Sequence, residues 1–280
     1  MFVIKFYNDI GTVTFGGGSA EGAWRLTACD GLALPGKSFT VCRYAGCDGQ
    51  TTVSARKNAR TITLTGDFYT GDGQIDAYAK AMTVLGKSGT LEVGIGGKTR
   101  RTAAECASFR ERGHEGAYRL FAVQFVCDNP YFESGEACEV PVYRTIPLLD
   151  GGFAFPGKFS ERISRRIIVN SGDCAAEPTI FINAGHNPTG TIAIINHTSG
   201  EKLSLNYEPL ADEVITIDTS LRKITGADGE NLLNYLSDDS FFDGFHLMPG
   251  DNDIEVLIGN ANRQLDVSCR FRPCYSEAVC

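Results

Sequence analysis

Three aspartates, Asp238, Asp239 and Asp243, come nearest in type and spacing to a set that could do chemistry. They could bind a cation, or two of them could divide acid and base roles in glycoside hydrolysis, but such a pair must lie roughly 5 to 9 Å apart in space, which closeness along a chain does not supply. The other reading is a solvated acidic loop, and the charge of that half of the chain agrees with it. The histidines, His114, His186, His197 and His246, fall in expected turns or at strand ends, without H-E-x-x-H or another ligand spacing, and no serine sits in G-x-S-x-G. Gly97-Lys98-Thr99 copies the end of a phosphate-binding loop, yet its first glycine would fall at Glu92 and no amphipathic helix follows to supply the N-terminal dipole. Ten cysteines include two C-x4-C spacings, Cys42/Cys47 and Cys269/Cys274, with no histidine within twenty residues of either pair. They read as buried or half-buried thiols rather than zinc ligands. No catalytic, cofactor-binding or metal residue is assigned, no cofactor is expected, and the chain is not read as an enzyme.

The elements that would have to position such residues are mostly strands. At 280 residues the chain can build two ordinary domains and bury roughly 75% of its extended surface, so neither metal nor disulfide is required for stability. Charged residues are 21% and apolar ones 42%, which excludes a disordered or membrane class. The N-terminal apolar run ends at Lys5, too short for a signal peptide or a membrane span, so folding in a cytoplasm is expected. Residues 1 to 145 hold 16 Lys and Arg against 15 Asp and Glu, and residues 146 to 280 hold 10 against 19. The halves therefore carry +1 and −9, and the acidic half is a poor nucleic-acid surface.

Short strands separated by turn residues are expected at Val3 to Tyr7, Thr12 to Phe15, Trp24 to Thr27, Ser38 to Arg43 and Thr61 to Phe68. The basic run Arg56-Lys57-Asn58-Ala59-Arg60 reads as a solvated strand entrance or a subunit-contact loop. Asp72 to Gly86 is the one helix: Asp72 could cap it, Ile75, Tyr78, Ala79, Met82 and Leu85 recur at helical spacing, and Gly86 sits where a left-handed terminating residue belongs. A hairpin is expected around Gly94 to Gly97, and a longer one pairs Thr102 to Phe109 with Ala117 to Val126. Phe121 to Phe132, FAVQFVCDNPYF, alternates Phe121, Val123 and Phe125 on one face and then stops at Asp128, Asn129 and Pro130. Val140 to Phe159, with its prolines and glycines, has linker composition, which places a boundary near Asp150. Beyond it, alternating runs at Arg165 to Asn170, Pro178 to Asn183, Thr191 to Asn196, Lys202 to Tyr207, Glu213 to Asp218, Asp253 to Ile258 and Leu265 to Phe271 have the regular spacing of a sandwich. Whether the last strand, near Arg270 to Tyr275, returns to the first domain is left open.

The strand ending in C-D-N-P-Y-F, about 130 residues into a chain of this length, resembles the distal tail proteins of long-tailed, non-contractile bacteriophages. The second half strengthens that resemblance through P-T-I-F-I-N-A, L-x-L, V-x-T-I-D-T, R-K-I, N-L-L and F-x-L-x-P-G-x-N-x-I, in that order. The resemblance implies a mainly β fold: residues 1–149 as a ring-forming domain of strands with one helix, and residues 150–280 as a galectin-like β-sandwich. It also implies a structural virion protein at the tail tip, made in a host bacterial cytoplasm, forming a homo-oligomeric ring of six. Its partners would be the major tail tube protein and tail tip or baseplate proteins, with DNA only passing through the channel and no membrane insertion. The alternative is a carbohydrate-binding or cell-surface β-sandwich protein. Against it stand the absence of the galectin-type H-x-N-x-R motif and the position of the only tryptophan, Trp24, in the other domain.

Overall fold

The computed structural model describes residues 2–17, 24–69, 74–147, 160–185, 190–259 and 265–278. The chain divides into two compact units, Met1–Gly135 together with Tyr275–Cys280, and Glu136–Cys274. The boundary expected near Asp150 falls outside the described residues.

The first unit contains β1 (Phe2–Tyr7), β2 (Thr12–Gly16), β3 (Trp24–Asp30), β4 (Lys37–Cys42), β5 (Thr51–Lys57), β6 (Arg60–Tyr69), α1 (Gln74–Leu85), β7 (Gly89–Ile95), β8 (Lys98–Glu115), β9 (Tyr118–Cys127) and β10 (Phe132–Ser134). Its main sheet runs β8-β7-β1-β2-β3-β6-β9, and β9 pairs back onto β8, so the sheet closes on itself. Closure depends on the length of β8: Lys98–Ala104 pairs with β7, and the remainder, from Glu105, pairs with β9. The turn between β7 and β8 is Gly96-Gly97, both at positive φ, so the phosphate-loop lookalike is a two-residue hairpin leading into a strand.

Alternation along β9 does what its pattern implies: Phe121, Val123 and Phe125 are buried while Gln124 is exposed. They meet Ile62 and Leu64 of β6, and Gly66 faces Phe121 across the pair. A Cβ on Gly66 would lie 1.8 Å from the Arg25 carbonyl oxygen and 3.0 Å from the Phe121 ring, so only glycine fits there. Trp24 fills the space beside it, with ring centroids 4.4 Å from Phe68 and 5.1 Å from Phe121.

The helix buries Ala81, Val84 and Leu85, with Tyr78 and Met82 partly buried beside them, whereas Ala79 of the expected stripe is exposed. Gly86 is not left-handed: its N–H continues the helical pattern to Met82 O at 3.0 Å, and the Asn8 side-chain amide donates to Val84 O at 2.8 Å. A side chain from the β1–β2 turn thus satisfies a terminal carbonyl that a glycine motif would have served. The expected cap, Asp72, lies outside the described residues.

The second unit contains β11 (Cys138–Pro147), β12 (Ser160–Ile163), β13 (Arg165–Asn170), β14 (Thr179–Ala184), β15 (Ile192–Asn196), β16 (Glu201–Leu205), β17 (Val214–Asp218), β18 (Lys223–Thr225), β19 (Gly250–Ile258) and β20 (Leu265–Phe271). One sheet has the order β12-β11-β20-β14-β17-β18 and the other β13-β19-β15-β16. Ile180, Ile182, Ile217 and Val267 of the first share a core with Ile168, Ile194, Leu203 and Val256 of the second, the expected sandwich. Val140 to Pro147, the first part of the stretch expected as linker, lies in strand β11. Pro141 sits at an irregularity in its pairing with β20, while Val142 and Tyr143 enter the core.

Buried asparagines fasten the turns of this unit. Asn252, fully buried, donates to Met248 O (2.7 Å) and Gly250 O (3.0 Å) and accepts from Met248 N–H (2.7 Å), closing the turn in which Gly250 takes a positive φ. That bonding is the physical content of the P-G-x-N motif. Finally β21 (Cys274–Tyr275) joins the sheet of the first unit beside β10, so the chain's end returns there.

Candidate functional site

The residues singled out for chemistry do not converge. Asp239 is ion-paired with Lys202 and Asp243 with Arg222, each carboxylate more than half exposed. The hydrogen bond from Lys202 holds the Asp239 carboxyl below its ordinary value, the behaviour of a surface ion pair and not of a general acid. His197 contacts Glu255 at 2.8 Å, and His246 lies 3.8 Å from Glu177. His186 falls outside the described residues. Among the described residues no three His, Cys, Asp or Glu side chains group as a metal site would need. Burial pushes the thiols of Cys29 and Cys269 up to about 12 and that of Cys127 up to about 11, so these three are poor nucleophiles. Trp24 is 5% exposed within the first unit's core, which leaves no tryptophan platform for a sugar.

Open grooves line both units among the described residues. One, of about 620 Å³, runs along Leu26 to Ala33 and Phe2 in the first unit. The other, of about 460 Å³, lies between Glu139, Phe181, Asp266 and Arg270 in the second. Both are shallow, and neither gathers a nucleophile with its base.

Within the basic run, the structure corrects the expected solvated entrance at Arg60. Arg60 is 3% exposed, not solvated. Its guanidinium donates to Gly31 O at 2.7 Å, to Ala33 O, to Pro130 O at 3.0 and 2.8 Å and to Ser276 O at 2.5 Å, and it lies 4.5 Å over the Phe132 ring. Desolvation lowers its pKa, yet an arginine starting so high stays charged, and the carbonyl oxygens serve as its counter-dipoles. Arg100 does similar work, donating to Glu277 O and stacking 3.7 Å over Tyr275. Together they fix the returning tail. No local pattern reveals this, because the acceptors come from positions 31, 33, 130 and 276.

What the first unit does present is an exposed arm. β4 and β5 form a separate two-stranded sheet, and neither pairs with a third strand among the described residues. Phe39 is 59% exposed, Val53 63% and Tyr44 64%, along an arm that also carries Lys37, Arg43, Arg56 and Lys57. A two-stranded hairpin is marginally stable alone in water, and open edges with apolar side chains invite pairing. The far part of the β8–β9 hairpin, Arg110 to Ala117, is exposed and dense in charge of both signs, with Arg119 bonded to Glu111 at 3.3 Å.

The fold thus defines a two-unit, mainly β protein: a closed sheet with one helix and an exposed arm, then a sandwich. The family model of the siphovirus-type tail component, C-terminal domain, matches residues 171–275, which lie almost wholly in that sandwich. The structure is similar to the crystal structure of the Dit protein of phage SPP1, described as a paradigm of the hub adsorption apparatus in phages infecting Gram-positive bacteria. That match has a TM-score of 0.68 at 11% identity and covers 98% of this chain and 99% of that one. It is also similar to a chain of the phage p2 baseplate in its activated conformation, with a TM-score of 0.52, 12% identity, and 96% and 98% of the two chains covered. No curated protein matches this chain. Over residues 171–275 the chain matches the siphovirus-type tail component model, and the resemblance to siphophage distal tail proteins read from the residues is borne out.

Proposed function

We propose that this chain is a structural hub protein of a siphophage tail, closing into a homo-oligomeric ring of six that joins the tail tube to the tip or baseplate. The observation that carries the reading is the coincidence of the family match over residues 171–275 with a fold similar to the SPP1 hub protein over nearly the whole chain. The division of labour rests on charge and surface. Copies of a half at −9 repel one another, whereas copies at +1 do not, so the first half, up to the strand that enters the sandwich, forms the ring and lines the channel and the acidic remainder stays outside it. A near-neutral channel lets DNA pass without the tight hold that a basic one would give. The β4–β5 arm supplies the head-to-tail contact, its edge and its Phe39 and Val53 side chains packing on the next copy. Immunogold electron microscopy of virions carrying this chain tests the reading: label belongs at the junction of tail tube and tip, and label along the tube, on the capsid or absent contradicts it.

A further inference from the structure

From the pairing of strands at the end of the second unit, we infer that Cys174 and Cys274 are a disulfide site. The two residues face each other in an isolated antiparallel bridge, with Cys174 N–H donating to Cys274 O at 3.2 Å. Directly opposed residues in such a pair have Cα atoms about 4.5 to 5.5 Å apart and side chains on the same face. A disulfide asks for a Cα separation of about 4.4 to 6.8 Å, so the backbone already satisfies its main requirement. Both are thiols in the structure, and both are partly exposed, within reach of a small oxidant.

The site is held in place by its surroundings. Asn170, 1% exposed, donates to Cys174 O at 2.9 Å and to Leu247 O at 2.9 Å and accepts from Gly172 N–H at 2.9 Å, which fixes the turn that carries Cys174. Gly172 is pressed against the other strand: a Cβ there would lie 2.1 Å from Cys274 O. A glycine at that position lets the turn come close enough to set the cysteines opposite each other.

The other strand cysteines among the described residues lack this relation. Cys29 faces Leu64, Cys42 faces Thr51, Cys106 faces Phe125, Cys127 faces Arg60, Cys138 faces Phe271, and Cys269 faces Val140 and Ile180. Cys274 is also the last residue before the chain returns to the first unit, so a link to Cys174 would pin the point of departure of the tail held by Arg60 and Arg100.

The oxidant is a low-molecular-weight disulfide. One cysteine thiolate attacks it, giving a protein mixed disulfide and one released thiol. The second cysteine thiolate then attacks the protein sulfur of that mixed disulfide and expels the second small thiol. The protein loses two hydrogens and two electrons, and the oxidant gains them.

The test uses the full-length chain, reduced, freed of reductant and incubated folded with oxidised glutathione. Remaining thiols are blocked with N-ethylmaleimide, and the digest is read by non-reducing mass spectrometry. The expected result is a dominant Cys174–Cys274 linked peptide pair and loss of two maleimide-reactive thiols. Cys174→Ser and Cys274→Ser each abolish the pair and leave the remaining cysteine as a glutathione adduct. The same digest after oxidation in urea scrambles the link, which shows that the fold directs it. Recovery of both cysteines as separate maleimide or glutathione adducts from the folded chain overturns the inference, as does preferential linkage of either one to Cys42, Cys47 or Cys138.

Discussion

Replacing Arg60 by alanine removes the side chain that ties four separate segments of the first unit. Each hydrogen bond from a charged donor contributes roughly 1.5–3 kcal/mol, and a buried carbonyl left without a partner costs roughly 1–3 kcal/mol. Four carbonyl oxygens, those of Gly31, Ala33, Pro130 and Ser276, lose their donor together. Water entering the vacated space restores part of this, so the expected loss is about 4 kcal/mol, at the upper end for a point substitution. With a urea m-value of about 2 kcal/mol/M, the transition of the first unit moves down by about 2 M, while that of the second unit stays in place. Arg60→Lys keeps the charge but not the fork, and about half the loss is expected. The tail serves as a second readout, since the Tyr275–Cys280 segment becomes a protease target in the alanine variant. A first-unit transition within about 0.5 M of the parent chain, on the same m-value, would refute the reasoning.

Two further outcomes are expected. Glu111 is held below its usual pKa by the Tyr78 hydroxyl, Asp239 by Lys202 and Asp253 by Arg165. A carboxylate whose folded pKa is depressed contributes stability that is fully present above its unfolded value of about 4 and lost as pH falls through the folded value. Unfolding midpoints should therefore be flat above that range and fall below it, with a shallower fall in Asp253→Asn; an identical acid slope in that variant argues against the Arg165 pair. Maleimide labelling of the native reduced protein should be fast at exposed Cys42, Cys47 and Cys138 and slow at buried Cys127 and Cys269, and equal rates across these five would contradict their described burial.

Much of the fold was legible because one-sided burial writes itself into alternation. β9 and, apart from the short β18, the strands from Arg165 to Phe271 are readable for that reason, and so is the P-G-x-N turn, whose asparagine acts on neighbours two and four residues away. β5 leaves no signature in the sequence because nearly all of it is exposed on both faces, so no period forms in Thr51–Lys57. β11 was hidden by its prolines, tolerated at a pairing irregularity and at the strand's end. The role of Arg60 and the return of the tail were out of reach, since both depend on partners brought from distant parts of the chain. The cysteine pair was obscured for the same reason: C-x4-C drew attention to Cys269 and Cys274, whereas the topology sets Cys274 against Cys174, one hundred positions away in sequence.

The central claim is that this chain closes into a ring through its first half. Native mass spectrometry of the full-length protein, combined with electron microscopy of the same sample, tests it most directly. The expected result is a single closed assembly of six copies with an open centre. Monomers of unchanged fold are expected when Phe39 and Val53 on the exposed arm are both replaced by serine. A chain that stays monomeric at every concentration reached, or that assembles undiminished without those two side chains, would contradict it.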